Sequence, residues 1–259
     1  MPFTPSHAVV ALPFVRTPIV PAAIAVGAMT PDLPLFVRAV VPDYGTTHDV
    51  RMLPLTMLIA LVLLLAWRLL LRPATRIVLP RPIAERLPVA WDGGIRAGWR
   101  ETFPSVVGVL WLLVALGLGV LSHILWDSLT HEGRGGVQLL PVLGEPWGPL
   151  PGYKWLQYGS GVLGLAGIAI FALVWLTRRT PSPVAHPAPR IVFWLWLAAL
   201  PVALGIATAI GLAAFVPLDA EFTIAHLAYR VLPPACAVWG AATFVLCLVL
   251  PQRWRVTTR

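Results

Sequence analysis

Three ionisable side chains at intervals of four residues are the strongest chemical signal in the sequence. They are His123, Asp127 and His131, at the end of a long apolar stretch. In an α-helix a step of four residues overshoots a full turn by about 40°, so the three side chains project from one face. Imidazole and carboxylate groups are suitable ligands for zinc or a similar divalent ion. The spacing therefore predicts a metal site at one end of an apolar helix.

Three further side chains of the same kind occur in the first 50 residues: His7, Asp32 and His48. Asp32 lies between two prolines, which favours a fixed turn. Each residue alone is a weak signal, but together they supply enough donor atoms to bind one divalent ion. Three or four ligands could come from the set His7, Asp32, His48, His123 and Asp127. The alternative is that His123 and Asp127 only hydrogen-bond each other or cap neighbouring helix ends.

The composition indicates where these groups must lie. Of the 259 residues, 58% are hydrophobic and only 12% are charged, about half the roughly 25% typical of soluble domains. So few charges could not cover a soluble surface, which points to an integral membrane protein. The net charge of +8 does not indicate a nucleic-acid partner, because all but one of the 19 basic residues are Arg and they lie between apolar stretches. The two cysteines form no disulfide framework or zinc ribbon.

Apolar stretches long enough to cross a bilayer as helices define the fold class. We expect an all-α, polytopic integral membrane helical bundle with about five transmembrane helices. The predicted spans are 53–71, 104–126, 160–176, 191–215 and 231–250. Residues 8–29 are apolar but contain Arg16 and three prolines, so we expect short or re-entrant helices there, with a sixth span as the alternative. The whole chain 1–259 is predicted to form one membrane domain, with the metal-site part in 1–158 and additional helices in 159–259.

The charges sort by side. Most of the 19 Lys and Arg residues fall in 72–103, 177–190 and the C-terminal tail, which places these segments in the cytoplasm by the positive-inside rule. Most of the 11 acidic residues and of the six histidines then lie on the opposite side. Because orientation was derived from the basic residues alone, this clustering is a separate observation. It predicts a site at the outer face.

Several segments also resemble a known family. They are 1–7 (MPFTPSH), 27–32 (GAMTPD), His48, 122–133 (SHILWDSLTHEG) and 153–158 (YKWLQY). Across roughly residues 1–180 they resemble the bacterial membrane-protein family known only as domain of unknown function 4184, which has no established activity. The resemblance implies a multi-pass protein of the bacterial cytoplasmic (inner) membrane, and the positive-inside rule predicts that its C-terminus lies in the cytoplasm.

That family is similar in turn to membrane-bound, predicted metal-dependent hydrolases. More distantly, the order of ligands is similar to that of the zinc-dependent phospholipase C and nuclease group. This resemblance implies one zinc held by Asp32, His48, His123 and Asp127, and a second that shares Asp127 with His7. His131 is a candidate for a further metal position. The sequence lacks that group's free N-terminal Trp ligand and its later His-x-x-x-Glu, so at most a one- or two-metal site is expected.

A divalent ion would lower the pKa of bound water toward about 7 and polarise a phosphoryl or acyl oxygen. Asp49 or Glu132 could act as a general base or as a group that hydrogen-bonds a ligand. Asp49 follows His48 directly, which leaves open which of these two side chains faces the site. Arg51 or Arg134 could hold a phosphate. We expect a metal-dependent hydrolase acting on a phosphoester or lipid-linked substrate. The alternative is a non-enzymatic membrane protein with a structural metal or hydrogen-bond cluster. The sequence leaves the oligomeric state open.

Overall fold

The computed structural model describes residues 3–38, 40, 43–185, 187–215 and 222–255. It confirms the predicted fold class, an all-α polytopic bundle. The α-helices of the described residues are α1 Pro21–Met29, α2 Leu33–Phe36, α3 Leu53–Ala66, α4 Arg72–Val78, α5 Arg81–Ala84, α6 Gly94–Thr102, α7 Val106–Thr130, α8 Gly135–Leu139, α9 Gly152–Thr177, α10 Arg190–Phe215 and α11 Ile224–Arg255. Two short antiparallel strands are β1 Pro146–Trp147 and β2 Leu150–Pro151.

Shorter helical turns connect these elements. A π-helix joins α3 to α4 at Trp67–Leu71. The described 3-10 helices are Thr4–Phe14, Thr30–Asp32, Thr46–His48, Val50–Met52, Val89–Gly93 and Pro141–Gly144. Three of these turns, Thr4–Phe14, Thr30–Asp32 and Thr46–His48, carry candidate ligands.

Among the described residues, five helical segments are long and apolar enough to cross a membrane, which matches the predicted number. They are Val50–Val78, Val106–Thr130, Gly152–Thr177, Arg190–Phe215 and Ile224–Leu250. The first extends beyond the predicted boundary at residue 71 and includes two further arginines. Arg72 and Arg76 are buried, and Arg76 bonds Asp92 and the Ala84 carbonyl. The helix continues because these guanidinium groups contact protein instead of lipid.

The N-terminal segment forms two short helices, as expected. The 3-10 helix Thr4–Phe14 has 11 residues and α1 has 9. Either is too short to cross a bilayer, which needs about 20 residues. The two helices are separated by a connection that contains Pro18, and Pro21 is the first residue of α1. Proline removes a backbone donor and clashes with the preceding turn, so the first helix does not continue into α1. Arg16 lies in this connection and is exposed.

The chain divides into two compact units. The first comprises Met1–Leu33, Tyr44–Ala66 and Trp99–Arg179, and the second comprises Pro34–Asp43, Trp67–Gly98 and Thr180–Arg259. In the first unit α1 packs mainly on α7, and the 3-10 helix Thr4–Phe14 packs on α9. In the second, α10 packs mainly on α11. The predicted division into 1–158 and 159–259 stays a prediction.

Glycines let the backbones of α1 and α7 touch. A Cβ atom at Gly27 would lie 2.7 Å from the Leu116 carbonyl oxygen, and one at Gly119 would overlap α1 in the same way. At Gly164 of α9, a Cβ would lie 2.8 Å from the carbonyl oxygen of Ser6. Small residues permit such close helix contacts in membrane proteins. These contacts fix the N-terminal segment against the helix that carries His123 and Asp127.

Candidate metal centre

Three elements of the first unit position the centre. Helix α7 supplies His123 and Asp127, one helical turn apart, and begins at the N-cap Ser105, whose side chain accepts from the Gly108 amide. The turn Thr30–Asp32 follows α1 directly and supplies Asp32. The turn Thr46–His48 supplies His48. Thr47 donates a hydrogen bond to the Pro31 carbonyl at 2.6 Å, which ties the two turns together.

The four side chains converge on one buried point. Asp32, His48, His123 and Asp127 each offer a ligand atom, and these atoms all lie within 4.8 Å of one another. The Nε2 atoms of His48 and His123 are 3.2 Å apart. From His123 Nε2 the distances are 3.4 Å to Asp127 Oδ2 and 3.6 Å to Asp32 Oδ1. The corresponding distances from His48 Nε2 are 3.8 Å and 4.0 Å.

Backbone carbonyls fix the tautomer of both histidines. His123 Nδ1 lies 2.7 Å from the Ala28 carbonyl oxygen and His48 Nδ1 lies 3.1 Å from the Tyr44 carbonyl oxygen. A carbonyl only accepts, so each Nδ1 carries the proton. In the neutral rings the two Nε2 lone pairs therefore face each other and two carboxylates. Metal-binding histidines are oriented in this way by a partner on the other ring nitrogen.

The spacing of the donors fits a metal ion. Two ligands at typical zinc–nitrogen distances in tetrahedral geometry are about 3.3 Å apart, close to the observed 3.2 Å between the Nε2 atoms. Two carboxylates offset the charge of a divalent cation, which a buried site requires. The donor set of nitrogen and carboxylate oxygen suits zinc and related divalent ions. The residues present can therefore hold the ion that the sequence predicts.

Asp32 is oriented by two hydroxyl groups. Thr4 Oγ1 donates to Asp32 Oδ2 at 2.7 Å, and the Tyr44 hydroxyl donates to Asp32 Oδ1 at 3.0 Å. Asp32 itself is 5% exposed. These bonds fix the carboxylate so that Oδ1 faces both histidines.

His7 lies on the far side of Asp127. Its Nε2 is 3.6 Å from Asp127 Oδ1, the oxygen that does not face His48 and His123. Its ring stacks on that of His123 with 3.9 Å between centroids. The structure thus brings His7 beside Asp127, and its role as a ligand of a second ion stays a prediction.

Burial keeps His7 and His48 neutral. It lowers the pKa of His7 to about 2, with the nearby His123 as the next cause. Burial, followed by His123, also lowers the pKa of His48 to about 4. A protonated ring carries a charge and would lose its hydration in these buried surroundings, so the neutral form is favoured. Both imidazoles are therefore available as ligands at neutral pH.

His131 is held differently from the other histidines. Gln157 Nε2 lies 2.9 Å from His131 Nε2, and Lys154 Nζ donates to Gln157 Oε1 at 3.1 Å. Since the amide oxygen accepts from Lys154, the amide nitrogen must donate to His131. His131 Nδ1 then carries the proton and faces the Asp127 carbonyl at 3.2 Å and carboxylate at 3.6 Å. In this arrangement His131 bonds the Asp127 backbone carbonyl, and a metal position for it stays a prediction.

The two predicted general bases make local contacts. Asp49 is exposed and its Oδ1 accepts from the Arg51 amide at 2.8 Å, so it caps the turn that begins at Val50. His48, and not Asp49, belongs to the four-residue cluster. Glu132 is exposed and accepts a hydrogen bond from the Tyr153 hydroxyl at 3.1 Å. Their catalytic roles stay predictions.

Sequence reasoning missed the residues that orient the ligands. They are Thr4, Tyr44, Thr47, Lys154 and Gln157. Thr4, Lys154 and Gln157 lie in segments that carry the family resemblance, so a signal was present for these three. For Tyr44 and Thr47 the only signal is their proximity to His48 in the chain.

Comparisons with known proteins identify a family without an activity. Neither a search of curated proteins nor a search of solved structures found a match. The family described as Domain of unknown function (DUF4184) matches residues 1–250. That range contains all four ligands and all five candidate spans, and the chain is a member of this DUF4184 family.

Proposed function

We propose that the chain is a metal-dependent hydrolase of the bacterial cytoplasmic membrane, with a divalent ion, zinc, held by Asp32, His48, His123 and Asp127. One observation carries this proposal: two histidines whose Nδ1 atoms face backbone carbonyls place their Nε2 atoms 3.2 Å apart, at the same point as two carboxylates. Without a cation these four groups would repel one another in a buried place. A cation relieves that repulsion.

The donor set favours catalysis. Structural zinc sites are mostly built from cysteines, whereas catalytic sites use histidines and carboxylates and keep a position for water. The cluster contains no cysteine, and Asp127 has a second oxygen directed at His7. His7 and that oxygen are the groups that would hold a second ion or a water molecule.

The chemistry divides between the ion and the chain. When bound, the ion would lower the pKa of a coordinated water toward about 7 and polarise a phosphoryl oxygen. Asp32 and Asp127 fix the position of the ion, and His131 bonds the Asp127 backbone carbonyl. Glu132 or Asp49 would take the proton, and Arg51 or Arg134 would bind the phosphate. We propose a lipid-linked phosphoester as the substrate, since the centre lies at the end of a membrane-length helix.

A structural metal site is the second candidate, and the burial of the ligands favours it. Asp32, His48, His123 and Asp127 are at most 7% exposed. Four protein ligands complete a tetrahedral shell and leave no open position. In that case the ion would join α7 to the turns Thr30–Asp32 and Thr46–His48 without catalysing a reaction.

Elemental analysis of the purified protein, combined with hydrolysis assays, tests the proposal. We expect about one equivalent of zinc in the wild type, and its loss in His123→Ala and Asp127→Ala. His226→Ala is the matched control, because His226 is exposed and bonds only locally to Thr223. Bis(p-nitrophenyl) phosphate and a fluorescent phospholipid serve as substrates. Metal without zinc-dependent hydrolysis would select the structural alternative, and absence of metal from fully folded protein would refute both.

A further inference from the structure

The second unit contains a cavity of about 310 Å³, and none of its lining residues belongs to the candidate metal centre. Its wall is built from three of the candidate spans: the end of Val50–Val78, the start of α10 and the second half of α11. The lining residues are Trp67, Leu71, Ala74, Thr75, Val78, Leu79, Trp196, Trp239, Thr243, Leu246 and Cys247. This volume lies within the range of ligand pockets, roughly 300–1,000 Å³.

The polar side-chain atoms of Thr75, Trp196, Trp239 and Thr243 in the wall are already engaged. Thr75 Oγ1 donates to the Leu71 carbonyl at 2.8 Å. Trp196 Nε1 donates to Thr243 Oγ1 at 2.9 Å, and Thr243 donates onward to the Trp239 carbonyl at 2.8 Å. Trp239 Nε1 donates to the Trp196 carbonyl at 3.0 Å. An occupant would therefore meet hydrocarbon, aromatic faces and the Cys247 thiol, which selects an apolar chain.

Two exposed arginines, Arg81 and Arg190, lie close along the chain to residues at one end of this cavity. The Ala188 amide donates to the Ile77 carbonyl at 2.8 Å, which brings the start of α10 to the end of α4. Arg190 follows two residues after Ala188, and Arg81 follows two residues after the lining residue Leu79. Both arginines are exposed. A guanidinium group at a membrane boundary binds a phosphate well.

We propose that this cavity binds one acyl chain of an anionic phospholipid, whose headgroup phosphate contacts Arg81 and Arg190. The walls belong to membrane-spanning helices, so the apolar molecules that reach the cavity are lipids. The charge at its end selects an anionic lipid over a zwitterionic one. The site is independent of the proposed hydrolase activity.

Photo-crosslinking of the full-length protein in detergent tests the proposal. The probe is phosphatidylglycerol with a diazirine in the acyl chain, and labelled peptides are mapped by mass spectrometry. We expect label on residues 239–247 of α11 in preference to the equally apolar, exposed face of α9. Unlabelled phosphatidylglycerol should compete about 30-fold better than phosphatidylcholine with the same chains, from about 1 kcal/mol for each of the two arginines. Equal labelling of both helices would overturn the proposal.

Variants separate the two parts of the site. Ala74→Phe and Leu246→Trp fill the cavity from α4 and α11 and should abolish the label on 239–247. Ala199→Phe adds the same bulk as Ala74→Phe on an exposed position of α10 and should leave it unchanged. Arg190→Glu should reduce the preference for phosphatidylglycerol about fivefold. Retained label in a folded cavity-filling variant, or an unchanged lipid preference in Arg190→Glu, would contradict the assignment.

Discussion

At the scale of single residues, the geometry of the candidate centre depends on groups outside the four-residue cluster. Thr4 and Tyr44 both donate to the Asp32 carboxylate, and carbonyls of Ala28 and Tyr44 hold the two histidines. Such outer partners fix the direction of a ligand and thereby reduce the entropy lost when the ion binds. The contribution of each partner is therefore measurable as metal affinity.

We predict that Thr4→Val lowers zinc affinity about 10- to 100-fold, the usual cost of removing an outer partner. The substitution removes the donor to Asp32 Oδ2 at 2.7 Å and keeps the shape of the side chain. Competition with a fluorescent zinc chelator measures the affinity. Thr177→Val is the control, since its hydroxyl donates only to the Val174 carbonyl on an exposed surface. Equal affinity in both variants would show that Thr4 does not orient a ligand.

We predict that the metal-free protein becomes less stable as the pH falls below 6.5. Burial, followed by the nearby His123, lowers the pKa of His48 from its ordinary 6.5 to about 4 in the folded state. Between these two values the unfolded chain binds a proton that the folded chain does not, so the free energy of unfolding falls as the pH is lowered. Below about pH 4 both states are protonated and this contribution levels off. Thermal unfolding of wild type and His48→Gln measures it. The same loss of stability in both proteins would exclude His48 as the cause.

At the scale of elements, the close contact between α1 and α7 sets the geometry of the centre. Helix α1 ends directly before the turn that carries Asp32, and its Ala28 carbonyl holds His123. A shift of α1 away from α7 would therefore move one ligand and release another. Gly27 and Gly119 make this contact possible.

We predict that Gly119→Ala destabilises the protein by about 1–3 kcal/mol, the range for overpacking, and weakens zinc binding. The added methyl group would overlap the Ile24 carbonyl and the backbone around Gly27. Gly117→Ala is a matched control in the same helix, where the nearest atom to a new Cβ is Met57 Sδ at 3.6 Å. Thermal unfolding and zinc titration compare the two. If both variants have the same unfolding temperature and the same zinc affinity, then α1 can shift away from α7 without loss of stability or of zinc binding.

The elements also show which features the sequence could reveal. A four-residue spacing predicts that His123 and Asp127 share a face, because the helix period is fixed. Proline positions predict the broken helices before residue 30. The stack of His7 on His123 could not be predicted from the sequence. It depends on the orientation of the His123 ring, which the Ala28 carbonyl fixes, and a backbone carbonyl leaves no pattern in side-chain types. The first span exceeded its predicted end because hydropathy treats Arg72 and Arg76 as facing lipid, whereas both are buried in protein.

At the scale of the whole molecule, the distribution of charge sets the orientation in the membrane. Arginine is concentrated in the connections 79–103 and 178–190 and in the C-terminal tail, whereas the connection 131–151 carries Glu132 and Glu145 and a single basic residue, Arg134. Translocating a connection rich in arginine is costly, so such segments stay in the cytoplasm. From this rule we predict that α7 carries His123 and Asp127 to the outer face of the membrane.

We predict that Gln138 faces the outside and Arg178 faces the cytoplasm. Both side chains are exposed, and they flank the 26-residue helix α9. Single cysteines at these positions, in a chain with Cys236 and Cys247 changed to serine, can be labelled in intact cells with a membrane-impermeant maleimide. Gln138→Cys should react in intact cells and Arg178→Cys only after lysis. The reverse labelling pattern would place the candidate metal centre on the cytoplasmic side of the membrane. A substrate would then have to come from the inner leaflet or the cytosol.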